Sequence, residues 1–564
     1  MPVPPRKLLL IQPPVEDFYD TSIRVQPLGL AYLKAAVLQF VPEVRVKIVD
    51  FHQGWGRRTL EVPRELSLLR EAYRWPDRSP LRTFHQYYRF GATDQQMAEV
   101  IRSEQPDYVG ISSLFSAYHR EALRVAGLVR EQSKALTILG GAHATAAPAS
   151  LLARPEVDFV VIGEGERPLV ELLRVLISEG PEQEDELGSI SGLAYRVGQT
   201  LHLNRPAAGF PIEFLPEPDF GDFAFDRYRY HRRPIAQLIT SRGCPFRCSF
   251  CTVHSTFGAA YRVRSVEAVL EEMQRRFDCG VRVFDFEDDN LTFHLERMKE
   301  LCRGIIERFP VQLELLAMNG ISYHNLDGEA LRLMRRAGFR QLNLSLVSSD
   351  PAILGGFRRP HRVGRLVEVV EEAHRLGFEI ICYLILGLPH EPIDGMIETL
   401  LLLARLPVRL GASPFYLAPA SAIADELSVS FDAAQFMLCR LTAMGVETPE
   451  ISRRDIFTLF VLCRLLNFLK ELPAGEGEKR LHAGESSEVS LDRWVVQLRS
   501  GVPDRHILDG LGVAERLIET GRFYALTAQG EQENTFFNPV LFRRAWNRIE
   551  QITALDGAKI RTSN

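Results

Sequence analysis

The chain has 564 residues, too many for one hydrophobic core, so two to four domains are expected. Its 46% apolar and 25% charged residues are typical of a soluble globular protein, and a net charge of −5 gives no reason to expect nucleic acid, which favours a basic face. We see no signal-peptide pattern and no apolar stretch of membrane-spanning length. We therefore expect a cytoplasmic protein with neither a membrane nor a nucleic-acid partner.

The N-terminal region alternates short apolar runs with amphipathic segments. Helices are predicted at Leu28–Phe40 and His119–Gln132. Strands are predicted at Lys7–Gln12, Val44–Phe51, Asp107–Ser112, Leu136–Leu139 and Asp158–Ile162. This alternation predicts a doubly wound parallel sheet over residues 1–180, with its ligand beyond the carboxyl ends of the strands. Residues 52–95 form an insertion to which no structure is assigned.

Residues 181–234 are predicted to be a linker. A helix is predicted at Glu166–Ser178, and the acidic stretch Gly180–Gly188 after it contains glycine and proline. A hairpin is predicted from Leu193–Val197 and Thr200–Leu203, around a Gly-Gln turn.

The βα alternation restarts at Ile235. Strands are predicted at Ile235–Thr240, Val281–Phe286, Gln312–Met318, Gln341–Leu346, Glu379–Leu386 and Ala412–Leu417. Helices are predicted at Val266–Phe277, Leu295–Phe309, Gly328–Ala337 and Arg365–Leu376. Six βα units predict a partial barrel over residues 235–422, with its site at the C-terminal ends of the strands. Residues 423–564 are predicted to form a helical C-terminal domain.

Three cysteines follow the first barrel strand with the spacing Cys-x3-Cys-x2-Cys: Cys244, Cys248 and Cys251. Three thiolates can hold three irons of a 4Fe–4S cluster and leave the fourth iron open, because these clusters are held by soft thiolate sulfur. The alternatives are a zinc site with His254 as fourth ligand, or a disulfide. Zinc sites usually show two spaced pairs of ligands, and a disulfide is unexpected in a cytoplasmic chain.

The cysteine loop with its βα units resembles the radical SAM superfamily. In that family the open iron chelates the amino and carboxylate groups of S-adenosylmethionine (SAM), and one electron cleaves SAM to a 5′-deoxyadenosyl radical. The resemblance implies an external electron donor of the flavodoxin or ferredoxin type. The protein then positions and insulates its cofactors, which carry out the difficult chemistry.

Segments at the ends of the later strands also match this family. The resemblance predicts that seven residues contact SAM: Phe250, Glu287, Asp288, Ser345, Arg359, Gly387 and Leu388. A carboxylate suits the SAM ammonium and an arginine suits its carboxylate, although an acidic loop at a strand end would have the same composition. Relatives often carry Glu or Gln where this chain has Val347, so Ser345 or Ser348 is left to contact the ribose.

The N-terminal domain resembles the cobalamin-binding domain of cobalamin-dependent radical SAM enzymes. The resemblance rests on residues 26–33, 140–145 and 163–166. The predicted cobalamin contacts are Ser112, Gly140, Gly141, His143, Thr145, Glu164 and Gly165. Paired glycines after a strand let the backbone approach a planar ligand closely. The alternative is a flavodoxin-like sheet whose glycines only turn the chain.

The loop after the first strand has no histidine to act as the lower ligand of cobalt. Many cobalamin domains carry Asp-x-His-x-x-Gly there, whereas residues 12–17 of this chain read Gln-Pro-Pro-Val-Glu-Asp. Residues 50–54 look similar but follow the second strand, and we treat this as a coincidence. Cobalamin bound without a histidine ligand would favour methyl transfer to an unactivated carbon.

The leading hypothesis is a cobalamin-dependent radical SAM methyltransferase that acts on an unactivated carbon of a small molecule or natural product. The alternative is a cyclase or ring-rearranging enzyme with the same cofactors but no methyl transfer, since fold does not determine reaction. A cobalamin or redox sensor would need an output domain, and no DNA-binding motif is present. Radical chemistry needs no general base, so no catalytic acid or base is assigned. His390 and Tyr416 are candidate substrate contacts.

Overall fold

The structure is a computed structural model. It describes residues 5–22, 26–178, 180–181, 183–206, 211–223, 227–319, 321–471 and 505–561. Residues 472–504 and 562–564 of the predicted C-terminal domain lie outside the described residues.

Ten strands form the N-terminal part of the chain: β1 (Arg6–Gln12), β2 (Val15–Asp17), β3 (Val44–Asp50), β4 (Arg57–Leu60), β5 (Tyr87–Phe90), β6 (Tyr108–Ser112), β7 (Leu136–Gly140), β8 (Phe159–Val161), β9 (Leu193–Val197) and β10 (Thr200–Leu203). Seven of them form one sheet in the order β10-β9-β8-β7-β6-β1-β3. The strands from β3 to β8 in that order run parallel. The strand order reverses between β1 and β6, which is where open α/β sheets bind their ligands. The predicted doubly wound sheet is confirmed.

Helices cover both faces of this sheet: α1 (Leu28–Phe40), α2 (Asp94–Glu104), α3 (His119–Gln132), α4 (Ala142–Ala146), α5 (Pro148–Leu152), α6 (Glu166–Ser178) and α7 (Glu184–Ser189). Strand β1 has apolar side chains on both of its faces, which these helices bury. Leu8 and Leu10 join the core under α1 and α6, while Leu9 and Ile11 join the core under α2 and α3. A strand buried on both faces reads as a continuous apolar run rather than an alternating one.

Two segments differ from the predictions. Strand β9 pairs antiparallel with β8, so the hairpin assigned to the linker extends the first sheet to Leu203 and protects the edge of β8. The stretch predicted as irregular around residue 184 contains α7. The unassigned insertion contributes β4 and β5 to a small antiparallel sheet with β2, and its residues Leu66 and Leu69 pack into the core of the barrel.

The second sheet system contains β11 (Arg229–Tyr230), β12 (Arg233–Leu238), β13 (Ser241–Arg242), β14 (Arg262–Val263), β15 (Val283–Phe286), β16 (Glu314–Leu316), β17 (Gln341–Val347), β18 (Glu379–Leu386) and β19 (Arg409–Pro414). Strands β12, β15 and β16 pair in parallel, as do β17, β18 and β19. The parallel bridges Leu315–Phe339 and Ile321–Leu344 link the two sets. The predicted partial barrel of six parallel strands is confirmed.

Helix α8 (Val253–Phe257) lies in the loop between β13 and β14. The other helices surround the outside of this barrel: α9 (Val266–Asp278), α10 (Leu295–Arg308), α11 (Gly328–Ala337), α12 (Pro351–Gly356), α13 (Val363–Arg375) and α14 (Ile393–Arg405). On β18 the residues Ile380, Cys382, Leu384 and Leu386 face this layer and belong to one large core. The intervening residues of β18 face the barrel interior, as the two-residue period of a strand requires.

The C-terminal part contains α15 (Ala422–Glu426), α16 (Ala433–Met437), α17 (Arg453–Glu471), α18 (Arg505–Thr520), β20 (Tyr524–Thr527), β21 (Gly530–Glu533) and α19 (Pro539–Arg561). Helix α17 covers the open edge of the barrel: the Asn467 amide accepts from Leu410 N–H and donates to its carbonyl, both at 2.8 Å. The β20–β21 hairpin was not predicted. Among the described residues, no helix is long and apolar enough to cross a membrane.

Candidate active site

The cysteine loop begins in the short hairpin of β13 and β14. Gly243 precedes the first cysteine with φ +85°, and a side chain there would collide with the Ala260 carbonyl. Only glycine adopts such a turn without strain. The Gly243 N–H donates to Asp289 Oδ2 at 3.0 Å, and the Cys251 N–H donates to the Cys248 carbonyl at 3.0 Å. The turn is thus shaped by the backbone before any cofactor binds.

The three thiols are free, and two of them contact nitrogen donors. Asn290 Nδ2 lies 3.7 Å from Cys244 Sγ, and Arg359 Nη1 lies 3.7 Å from Cys248 Sγ. Burial raises the pKa of Cys244, and the hydrogen bond from Asn290 opposes this increase. Burial raises the pKa of Cys251 to about 11, so binding iron there must release a proton.

The donor set fits an iron–sulfur cluster better than a zinc site. The candidate fourth zinc ligand, His254, uses its Nε2 in a hydrogen bond with the Phe246 carbonyl. Within the described ranges, no group of three or more His, Cys, Asp or Glu side chains is arranged to hold a single metal ion. A 4Fe–4S cluster instead needs one thiolate for each of three irons, which this loop supplies.

Several buried polar atoms around the cysteine loop have no hydrogen-bond partner in the described structure. They are Asn290 Oδ1, Arg359 Nε, Tyr323 OH and His361 Nδ1. Asn290 and Arg359 touch the cysteines, and the His361 ring lies 5.7 Å from that of Phe246 and 4.7 Å from that of Tyr323. Orphaned buried polar atoms require a ligand or ordered water. A polar ligand with both charges, such as SAM, fits this position.

The two candidate carboxylates at the end of β15 have different environments. Asp288 is fully buried and accepts from the Thr240 N–H and hydroxyl and from the Ser241 hydroxyl. Glu287 is partly exposed and accepts from Gln237 Nε2 at 2.7 Å and from the Asn319 amide. Asp288 therefore holds the strand end together, whereas Glu287 is the more exposed of the two carboxylates predicted to contact SAM.

We expect Glu287→Gln to raise the KM for SAM by about tenfold, because it removes one charge-assisted hydrogen bond of about 1.5 kcal/mol. Asp288→Asn should instead lower stability by about 2 kcal/mol through its buried hydrogen bonds. Initial-rate kinetics and thermal unfolding of both variants check this contrast. An unchanged KM in Glu287→Gln would contradict the assignment.

An apolar cluster lies beside the loop. Phe250 packs against the buried Val347 and Leu388, and an apolar surface of this kind suits the adenine predicted to lie there. Val347 has φ +76° at a bulge of β17, which is rare for a β-branched residue and typical of functional sites. Gly387 adopts φ +86° beneath Ile456.

The two candidate serines beside this cluster, Ser345 and Ser348, differ in their contacts. Ser348 is buried and donates from its hydroxyl to Glu391, whereas Ser345 is partly exposed and its carbonyl accepts from Arg359 Nη2 at 2.9 Å. Of the two serines, Ser345 is thus the more exposed. Arg359 contacts both the Ser345 carbonyl and Cys248 Sγ.

Burial raises the pKa of Glu391 from 4.5 to about 7, and one of its carboxylate oxygens has no partner in the described structure. The folded state thus binds the proton more tightly, and this contribution to stability is present below pH 4.5 and lost as pH rises through 7. We expect the thermal unfolding midpoint of the wild type to fall between pH 5 and 8 relative to Glu391→Gln. The exposed control Glu371→Gln should track the wild type, and parallel curves for all three proteins would refute this role.

The cobalamin contacts predicted in the first domain cluster at the carboxyl ends of β6, β7 and β8. Gly141 adopts φ +117°, and a Cβ atom there would lie 2.7 Å from the Ser113 carbonyl. The buried Ser113 Oγ and His143 Nε2 have no partner in the described structure. Desolvation lowers the pKa of His143 to about 3, so its ring is neutral. A backbone cradle with unpaired neutral polar groups fits the amides of a corrin.

Some residues predicted to bind cobalamin are engaged by the protein itself. The Thr145 hydroxyl accepts from Gly163 N–H at 2.8 Å. Glu164 forms ion pairs with Arg242 at 2.7 Å and with Arg262. The backbones of Ser112, Gly140 and Gly165 remain at the carboxyl edge of the sheet.

Residues from the C-terminal part, which the sequence did not flag, cover this edge. The Phe436 ring packs edge-on against His143 at 4.7 Å. Arg440 donates to the carbonyls of Glu16 and Ala117 at 2.8 and 2.6 Å and lies 3.3 Å from Asp17. These contacts of Arg440 span more than 300 positions, so no local pattern could reveal them.

The remaining candidates lie in different surroundings. Asp50 accepts from the Tyr228 hydroxyl at 2.6 Å and from His52 N–H at 2.7 Å at the end of β3, which is consistent with a local turn. Tyr416 is 41% exposed in the loop after β19, and desolvation raises its pKa. His390 is exposed at φ +68° in the turn after β18.

Comparison with known proteins agrees with this geometry. The model of the radical SAM superfamily matches residues 238–403, and the model of the B12 binding domain matches residues 84–173. The chain therefore combines a radical SAM domain with a B12-binding domain, as cobalamin-dependent radical SAM enzymes do, and these two domains imply a 4Fe–4S cluster, SAM and cobalamin as cofactors.

Individual relatives perform more than one reaction. The chain is 27% identical to the cytidylyl-2-hydroxyethylphosphonate methyltransferase of Streptomyces wedmorensis, over 68% of this chain and 73% of that protein. It is also 27% identical to the anaerobic magnesium-protoporphyrin IX monomethyl ester cyclase of Cereibacter sphaeroides, over 54% of this chain and 50% of that protein.

A solved structure supports the fold. The radical SAM methyltransferase TsrM of Kitasatospora setae, with cobalamin and a 4Fe–4S cluster bound, superposes with a TM-score of 0.59 at 16% identity. The superposition covers 83% of this chain and 95% of that one. At this identity the likeness concerns the fold alone.

Proposed function

We propose that this enzyme transfers a methyl group from SAM, by way of cobalamin, to an unactivated carbon of a small molecule. The observation that carries the proposal is the contact between the two cofactor regions. Helix α4, at the carboxyl edge of the first sheet, packs against α8 in the cysteine loop. Gly163 lies so close to this loop that a Cβ atom there would be 3.5 Å from the Thr256 carbonyl.

The protein's own residues orient and enclose the reactants. When bound, the cluster supplies the electron that cleaves SAM and cobalamin carries the methyl group. Glu287 and Arg359 would hold the two charged ends of SAM, and Phe250 and Leu388 would shield its adenine from water. Residues in a dry pocket hold charged ligands more tightly than water-exposed ones do, because the local dielectric constant is lower.

We expect the substrate between the two domains. Tyr416 in the loop after β19, and Leu114 and Phe115 at the end of β6, are exposed side chains that would contact it. A neutral, partly apolar substrate suits these side chains. The reduction of the cluster would come from a flavodoxin or ferredoxin donor.

A second candidate, cyclisation without methyl transfer, is supported by the relatedness to the magnesium-protoporphyrin cyclase. The test is anaerobic reconstitution with iron, sulfide and cobalamin, followed by incubation with SAM, a reductant and candidate substrates. Substrate-dependent S-adenosylhomocysteine together with 5′-deoxyadenosine is expected for methyl transfer. Substrate-dependent 5′-deoxyadenosine alone would overturn methyl transfer in favour of cyclisation.

A further inference from the structure

A buried ion-pair cluster connects the first domain to the cysteine loop. Arg242, two residues before Cys244, donates to Glu164 at 2.7 Å and to Glu166 at 2.6 Å. These three side chains are only 6–7% exposed. Arg262, which pairs with Arg242 across the β13–β14 hairpin, also binds Glu164. The two strands on either side of the cysteine loop, β13 and β14, are therefore both bound to one short acidic segment, Glu164 to Glu166.

That acidic segment follows β8 at the carboxyl edge of the cobalamin-type sheet. Glu164 stands between Gly163, which adopts φ +82°, and Gly165, above which Leu33 packs. The Arg242 guanidinium also lies 5.2 Å from the ring centre of Tyr32 in α1. The first domain thus surrounds Arg242 with two carboxylates and an aromatic face, which leaves this arginine little freedom.

A second buried connection reaches the SAM side. The Gln26 N–H donates to Gln237 Oε1 at 2.9 Å, and the Gln237 N–H donates to Gln26 Oε1 at 2.7 Å. Gln26 Nε2 also donates to the Ile235 carbonyl at 2.7 Å. The Gln237 amide then donates to Glu287 at 2.7 Å. A residue just before α1 is thereby linked through one barrel side chain to the carboxylate assigned to the SAM ammonium.

Burying charges is costly, and a buried ion pair often contributes little net stability compared with apolar residues. A buried ion pair nevertheless fixes geometry, because two charge-assisted hydrogen bonds from one guanidinium permit only one orientation of that group. Both connections run from the cobalamin edge to a group that acts on SAM. The ion pairs and the Gln26–Gln237 hydrogen bonds would therefore set the distance between the two cofactors.

We propose that Glu164 and Glu166 are positioning residues that hold the cysteine loop at a set distance from cobalamin, and that Gln26 does the same for Glu287. This inference rests on the proposed function, in which both cofactors serve one reaction. A misplacement of about 1 Å can cost about 10²-fold in rate. Loosening the ion pairs should therefore slow methyl transfer about 10²-fold while leaving the cluster assembled.

The test variants are Glu166→Gln, which removes one charge, and Arg242→Lys, which keeps the charge but loses the fork. The matched control is Glu272→Gln. Glu272 is a fully buried carboxylate of α9 that binds two arginines of the barrel domain, Arg264 and Arg276, both at 2.6 Å. All proteins are loaded with cluster and cobalamin, and iron and cobalt contents are measured.

The deciding readout is the electron paramagnetic resonance spectrum of the reduced cluster together with cobalt(II) cobalamin, since their magnetic dipolar splitting reports the distance between them. The splitting should be sharp in the wild type and in Glu272→Gln, and broadened or shifted in both test variants. In parallel, the ratio of 5′-deoxyadenosine to methylated product should rise in the test variants only.

Three other outcomes would each contradict the positioning role or the proposed function. A splitting in Glu166→Gln and Arg242→Lys identical to the wild type would overturn the positioning role and leave the proposed function intact. Loss of cobalamin or iron in both variants, with Glu272→Gln loaded normally, would assign the ion pairs a purely structural role instead. No splitting in the wild type itself would refute the proposed function, because the cofactors would then be too far apart.

Discussion

Replacing Cys248 by alanine is expected to abolish 5′-deoxyadenosine formation. Its thiol is buried and lies 3.7 Å from Arg359, in the middle of the cysteine loop. A cluster that lacks one of three thiolates cannot keep one iron open for SAM. Since enzymes accelerate reactions by at least about 10⁶-fold, the rate should fall by about 10³-fold or more, to the background of the assay.

The same variant should still bind cobalamin, because that site lies in the other domain. Exposed Cys279 provides the matched control, and Cys279→Ala should keep both the cluster and the activity. The measurements are iron content, the visible absorbance of the cluster and chromatography of the nucleoside. Wild-type activity in Cys248→Ala would refute the assignment of the cluster to this loop.

Gly141→Val is expected to weaken cobalamin binding by about 30-fold, which corresponds to about 2 kcal/mol. Valine cannot adopt φ +117° without strain, and its Cβ would meet the Ser113 carbonyl at 2.7 Å. The turn after β7 must then move away from β6. Unpaired atoms of Ser113 and His143 lie on either side of that turn, among the residues that the structure describes.

The control for this prediction is Gly127→Ala. Gly127 lies within α3, where a Cβ atom would have no neighbouring atom within 4 Å, and alanine favours a helix. Titration of each protein with cobalamin, followed by its absorbance change, checks the contrast. Equal affinity in Gly141→Val and Gly127→Ala would mean that cobalamin does not bind at this edge.

The fold could be predicted where the pattern is local. Helix α3 and the β9–β10 hairpin have the predicted bounds, because amphipathic periodicity and a Gly-Gln turn determine them. The insertion after β3 could not be predicted, since its order comes from distant contacts. Phe18, Tyr73 and Phe84 pack as one aromatic group there, and the Tyr73 hydroxyl donates to the Thr442 carbonyl.

The residues of the site likewise divide into those that a local motif predicts and those that depend on distant contacts. The cysteine loop and the Gly140–Gly141 turn are short motifs, so their residue types alone indicate the chemistry. Glu164 was predicted to touch cobalamin, but its partner Arg242 is 78 positions away and invisible to any local pattern. Long-range ion pairs depend on how the two domains dock, and only the structure provides that information.

Omitting cobalamin tests whether this enzyme needs both cobalamin and the cluster for methyl transfer. The protein is reconstituted with its cluster, with and without cobalamin, and incubated with SAM, reductant and candidate substrates under anaerobic conditions. We expect 5′-deoxyadenosine in both samples and S-adenosylhomocysteine only in the sample with cobalamin. S-adenosylhomocysteine formed at the same rate without cobalamin would contradict the proposed methyl transfer.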